Sequence, residues 1–296
     1  MENQNINTER VTITLGDATF QLQEQHDLNW IHELGHVFCV FDEQDSGNIS
    51  FGFNINGTRR FLKYAGARPL EYKGMPEDAA KRLSAAVAVY QKLEHPHLIK
   101  LVDHFATRDG YAALFEWFDG ENLHPHWVFP PPSKYEHPDS PFFKYRQLSV
   151  GQRLSSLEVI FGFHVHVESK GMVAVDFYDG SILYDFHNHQ TKICDIDFYR
   201  QVPAINDIGE QFWGAARSKS PEEYTLGAPI DARTNVFTMG AIAFGLLGGE
   251  MDRSYEKWEA GDRLHQVALR AVSHERSKRY NSIAEFKQAW DEASQA

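Results

Sequence analysis

Four aspartates, Asp176, Asp179, Asp195 and Asp197, are the residues of this chain best placed to do chemistry. The first two follow a short apolar, β-prone run at 172–175. The last two follow a second such run at Ile193 and Cys194, beyond a polar turn. Each run therefore delivers carboxylates to a loop. Phosphoryl transfer needs such a layout: one carboxylate orients a hydroxyl nucleophile, and another holds the magnesium that neutralises the phosphates. Asp179 stands before Gly180 and also reads as a simple Asp-Gly turn.

A second pattern points to different chemistry. His32-Glu33-Leu34-Gly35-His36 fits HExxH, a zinc-protease signature. That chemistry needs both histidines on one face of a helix. The residues that follow, Val37-Phe38-Cys39-Val40-Phe41, favour strand. A zinc metalloprotease is therefore a remote alternative. The histidine pairs at 95/97, 124/126, 164/166 and 187/189 are spaced i,i+2. They read as core or solvated histidines. No serine sits in a G-x-S-x-G elbow, so a Ser-His-Asp hydrolase is unsupported.

The elements that must position these residues fall into a β-rich half and a mostly helical half. Val11, Ile13 and the 19–22 run alternate about a Gly-Asp turn. Residues 37–41, 49–55 and 60–64 are further strands, with Asn56 and Gly57 a strong hairpin turn. Pro76 opens a helix to about Leu93, with Glu77 and Asp78 in its first turn. Strands at 99–105 and 111–117 follow. The segment 125–141 is rich in Pro and His and reads as a long loop, the kind that is usually functional. Residues 148–169 form an amphipathic helix with Leu154, Leu157, Phe161 and Val165 on one stripe. Residues 234–247 are apolar nearly all round and predict a buried central helix. Ser282 and Glu285 make a capping box for the last helix. The boundary falls near Asp119, predicting a nucleotide-binding lobe at 1–118 and a catalytic lobe at 119–296.

The chain has 296 residues, enough for two lobes. With 29 Lys and Arg against 41 Asp and Glu, its formal charge of −12 argues against a general binder of nucleic acid or anionic membrane. Arg59, Arg60 and Lys63 form one small basic cluster, read as a solvated strand edge. Two cysteines exclude a disulfide scaffold and suit a reducing cytosol. A polar N-terminus and no long apolar run predict a cytoplasmic protein without a membrane span.

This order of elements, with several motifs in register, resembles the eukaryotic-type protein kinase fold over roughly residues 30–290. Lys63 in Arg60-Phe61-Leu62-Lys63 sits where such kinases carry the phosphate-binding strand lysine. His95-Pro96-His97-Leu98-Ile99-Lys100-Leu101 is similar to HPNIVKL. Phe115-Glu116-Trp117-Phe118 looks like the hinge that holds adenine. Asp176 matches the catalytic-loop aspartate, Asp195 the DFG aspartate and Ser220-Pro221-Glu222 the APE motif. Arg279 matches the arginine that pairs with that glutamate.

The departures carry information too. HRD is Ala174-Val175-Asp176, so the arginine that receives an activation-loop phosphate is absent. Tyr178 replaces the catalytic-loop lysine and Ser181 the metal-binding asparagine. Asp197 replaces the DFG glycine, as an acidic residue often does in aminoglycoside phosphotransferases, and offers magnesium a second hard oxygen. Of three loop glycines only Gly35 stands. Ala86 falls where the helix glutamate that pairs with Lys63 is expected.

The resemblance implies a bilobal α+β fold: a small antiparallel β lobe and a larger helical lobe. It implies ATP as phosphoryl donor, with Gly35, Lys63, Glu116 and Phe118 binding it. Mg2+ falls to Asp195, Asp197 and Ser181, and Asp176 and Lys63 are catalytic. The acceptor is a protein Ser/Thr or small-molecule hydroxyl. The alternative is a pseudokinase, a nucleotide-binding or scaffolding module.

Overall fold

Ile49, Phe51 and Phe53 alternate with Asn48, Ser50 and Gly52, and all six are buried. Strand β4 (Asn48–Ile55) is thus covered on both faces. The computed structural model describes residues 10–295. Within them the chain divides into two compact units. One runs to Gln91 and takes in Ile99–Phe118. The other joins Lys92–Leu98 to the chain from Asp119 onward.

The first unit is built on a five-stranded antiparallel sheet. It contains β3 (His36–Phe41), β4, β5 (Thr58–Ala65), β6 (Leu101–Ala106) and β7 (Tyr111–Glu116), in the order β3-β4-β5-β7-β6. The turn from β4 to β5 uses Asn56 and Gly57, both at positive φ, the geometry a two-residue hairpin requires. Strand β5 pairs on both sides, so Arg59, Arg60 and Lys63 do not lie on an edge strand, contrary to the expectation. Leu62 and Tyr64 enter one core with Ile49, Phe51 and Phe53. A second hairpin, β1 (Val11–Leu15) with β2 (Ala18–Leu22), adds Leu15, Phe20 and Leu22 to that core. So does Ile31 of the one-turn helix α1 (Trp30–Leu34). Helix α2 (Pro76–Lys92) sets Tyr90 edge-on against Phe115, with ring centroids 4.9 Å apart.

The second unit is organised by α6 (Ala232–Leu247), which is buried almost all round. Helices α5 (Val150–Ser169), α7 (Asp262–Ala271) and α8 (Ile283–Ser294) complete its helical frame. The buried stripe of α5 is turned from the expected one. Leu157 and Phe161 are buried, but Leu154 and Val165 are only partly so. Arg153 takes the inner position because its guanidinium donates to Leu246 O (3.0 Å) and Glu259 Oε2 (2.5 Å). At α8, Ser282 Oγ caps Glu285 N as expected. The Glu285 carboxylate instead accepts from Asn281 N, so the box is half formed. Arg279 and Glu222 do pair, at 2.7 Å, both buried, and Thr234 donates a further bond to the same carboxylate.

Small strands position the acidic loops. Met172–Val173 (β9) pairs with Arg200–Gln201 (β12), and not with the run at Ile193. Inside that pair lies a hairpin of Ile182–Asp185 (β10) and Gln190–Ile193 (β11), extended on the β10 side by Glu121–Asn122. No helix among the described residues is long and apolar enough to cross a membrane.

Candidate active site

Each of two aspartates is bracketed by buried neighbours. Val175 and Phe177 flank Asp176, and Cys194 and Ile196 flank Asp195. The neighbours root the backbone in the core, while Asp176 stays half-buried and Asp195 exposed. Both aspartates have positive φ, 64° and 54°. Such conformations are uncommon for non-glycine residues and cluster at functional sites.

Helix α6 clamps the first loop. Asn235, 1% exposed, accepts from Ala174 N and donates to Ala174 O, both at 2.7 Å. This amide satisfies the backbone donor and acceptor of one buried residue, two before Asp176. The second loop is tied to the first at the hairpin base, where Cys194 N donates to Ser181 O at 3.0 Å.

Two tyrosines feel the charge of both carboxylates. Burial pushes the Tyr178 hydroxyl well above its usual range, and Asp195, Asp176 and Asp179 push it further. Tyr199 is raised in the same way, by burial first and then by Asp176, Cys194 and Asp195. Both phenols therefore stay neutral beside the acids. His164 holds Tyr199 in place: Nε2 lies 2.8 Å from its hydroxyl and Nδ1 lies 2.7 Å from Ile160 O. It is a fully buried core histidine, as its place in the sequence suggested.

Asp179 is not a solvated turn residue. It is 5% exposed and starts a short 3-10 turn. Lys134 Nζ stands 2.7 Å from its Oδ2, and Arg217 Nε donates to Oδ1 at 3.0 Å. Lys134 also meets Glu250 Oε1 at 2.9 Å, and Tyr135 donates to Glu250 Oε2 at 2.8 Å. Buried charges survive only when paired and hydrogen-bonded, and this network does that. Burial would raise the Asp179 carboxyl, but Lys134 and Arg217 outweigh it and hold it below the usual range. The Pro- and His-rich segment is consequently not a bare loop. It carries α3 (Ser133–Glu136) and leads into α4 (Pro141–Arg146). Its lysine is anchored three residues from Asp176.

The remaining sequence candidates are placed as follows. Ser181 is fully buried, and its Oγ lacks a hydrogen-bond partner. Asp197 is half-buried, two residues past Asp195. Lys63 lies on β5 opposite Ser50 and Ala113. Ala86 of α2 is buried, so the expected glutamate position is a packing position. A Cβ on Gly35 would stand 2.3 Å from Asn54 O, so close approach of β4 alone demands glycine there. Glu116 ends β7, its N–H donating to Lys100 O (2.9 Å) and its carboxylate paired with Lys100 Nζ (3.1 Å). Phe118 is half-buried at the end of the first unit.

HExxH does not form its motif geometry. His32 lies in α1, whereas His36 opens β3 and pairs with Asp17 Oδ2 at 2.8 Å. Gly35 ends the helix between them, so the two imidazoles do not share a helix face. Among the described residues no three His, Cys, Asp or Glu side chains are grouped to hold a metal by themselves.

No family model matches the chain. A receptor-like kinase of Arabidopsis thaliana is similar to it. The two are 24% identical over 218 residues, 69% of this chain and 31% of that protein. The chain thus spans under a third of that relative's length. The likeness is distant, and it is to a kinase. It does not single out a bacterial or an aminoglycoside-phosphotransferase type.

Asn235, Lys134, Arg217 and Tyr199 were not singled out from the sequence. Asn235 had a readable signal, a lone amide in an otherwise apolar helix. The others had none, because their partners lie 35 to 116 residues away.

Proposed function

We propose that this chain is an ATP-dependent phosphotransferase of the protein kinase-like superfamily. The observation that carries the reading is the pair Asp176 and Asp195. Both sit at positive φ, rooted in the core on either side, and the charge of both raises Tyr178 and Tyr199 beyond what burial does. The distant likeness to a kinase agrees with it.

In this reading Asp176 accepts the proton of an acceptor hydroxyl. The acceptor oxygen attacks the γ-phosphorus in line. The bond from phosphorus to the bridging oxygen breaks, and ADP leaves with the electron pair. Lys63 takes a phosphate of the nucleotide, and Gly35, Glu116 and Phe118 belong to its binding segments. Asp195, Asp197 and Ser181 would hold magnesium, which when bound neutralises phosphate charge. The buried Ser181 hydroxyl without a hydrogen-bond partner fits a missing ligand. Two or three protein oxygens are enough, since magnesium takes the rest from phosphates and water. The acceptor is a hydroxyl of a protein or small molecule. The segment around Lys134 is anchored on Asp179, three residues past Asp176, and we assign the acceptor side to it.

Magnesium-dependent ADP release tests the reading. Asp176→Asn lowers turnover by about 100-fold or more, the range for loss of a general base. Wild-type protein without turnover sinks it. Tyr178 and Ala86, where kinases carry a lysine and a glutamate, favour the second reading, a pseudokinase that binds nucleotide without transferring phosphate.

A further inference from the structure

The loop 176–181 carries no cation of its own, because Tyr178 stands where a lysine would face the transferring phosphoryl group. The segment 214–223 brings two. Arg217 pairs with Asp179 and lies over the Tyr178 ring, 5.3 Å from its centroid. Lys219, 8% exposed, runs beside Asp176 itself. The point where a Cβ would stand on Gly214 lies 3.0 Å from Lys219 Cγ and 4.0 Å from Asp176 Cα. Gly214 has φ 128°, a conformation that favours glycine, and a Cβ there would press on the lysine stem while making only ordinary contact with the aspartate backbone.

We propose that Lys219 is the cation of the Asp176 site, supplied by a segment some forty residues downstream in place of the lysine that the loop lacks. This rests on the phosphotransferase reading. Its amine donates to Phe212 O at 2.6 Å and Glu210 O at 3.3 Å. An ammonium group has three donors, so one N–H remains after these two. The carbonyls hold the stem, and the third N–H serves the oxygens of the phosphoryl group in flight. Lys219 makes and breaks no covalent bond. It offsets the charge that builds as the acceptor oxygen bonds phosphorus and ADP departs.

The charged and titratable groups facing Lys219 are Glu223, Asp176 and the ring of Tyr224, 4.3 Å from its amine. Burial lowers the lysine pKa, and Glu223 and Asp176 oppose that shift. Arginine at this position stays charged over the whole working range.

Steady-state Mg-ATP turnover with water as acceptor, followed by ADP release, tests the proposal in wild type, Lys219→Met and Lys219→Arg. Lys219→Met is expected to lower kcat by about 100-fold with KM for Mg-ATP near the wild-type value. Lys219→Arg is expected to restore most of kcat and to move the alkaline fall of the kcat–pH profile upward. Should Lys219→Met fail to fold, the wild-type and arginine profiles still decide, because a merely structural lysine leaves them superimposed. Wild-type kcat in Lys219→Met, or superimposed profiles, overturns the role of Lys219 and leaves the phosphotransferase reading standing. A wild-type protein without turnover removes both together.

Discussion

Asp176 and Asp195 hold backbone conformations that cost an ordinary residue about 1–3 kcal/mol. Buried neighbours over-determine each of them, so the strain persists. Nearby, His164 is fully buried, and burial lowers its pKa to about 4. Its folded pKa lies below its unfolded value of 6.5. The unfolded chain therefore binds the proton first, and stability is lost as pH falls from about 6.5 towards 4. Glu223 works in the opposite sense, since burial raises it to about 7 and its carboxyl stays protonated in the fold over that window. Comparing variants separates the two. The urea midpoint of wild type is expected to fall more steeply between pH 6.5 and 5 than that of His164→Asn. Parallel slopes would show that His164 does not titrate on unfolding.

Asn235 of α6 and the β10–β11 hairpin position the acidic loops. Asn235→Leu fills a similar volume but strands Ala174 N and Ala174 O inside the core. Unpaired buried polar groups cost about 1–3 kcal/mol each, so a loss of about 2–4 kcal/mol is expected by urea unfolding. Turnover falls as well, because Ala174 sets the path of the chain into Asp176. A variant as stable and as active as wild type would show that the clamp does not position that loop. Lys134 works at the same scale. It ties α3 to Asp179 and Glu250, which turns a Pro-rich connection into an anchored element.

Across the molecule, a β-rich unit and a helical unit are each built around their own core. Nucleotide binding can be tested on the whole chain without assuming catalysis. At Mg-ATP a hundredfold above its dissociation constant, unfolding free energy is expected to rise by about 2.7 kcal/mol. Asp195→Asn reduces that gain if its carboxylate holds the magnesium. Stabilisation without turnover would identify the pseudokinase. The absence of both stabilisation and turnover would remove nucleotide from the picture.

Periodicity and turn chemistry determined the elements. Alternation at 49–55, the Asn56-Gly57 turn, the apolar run at 234–247 and Pro76 each express a local rule, so the strands and helices they mark were legible. The loop positions of the two aspartates could be read as well, because each follows an apolar run. Tertiary packing decided the rest. Asp179 looks like any Asp-Gly turn until Lys134 and Arg217 arrive from 45 residues before it and 38 after it. The HExxH letters lost their meaning because Gly35 ends one helical turn and His36 begins a strand. Lys219 acquires its place only in the fold, where Phe212 O and Glu210 O hold its amine. Such contacts join residues far apart in sequence, and no local rule records which distant charge will answer a buried carboxylate.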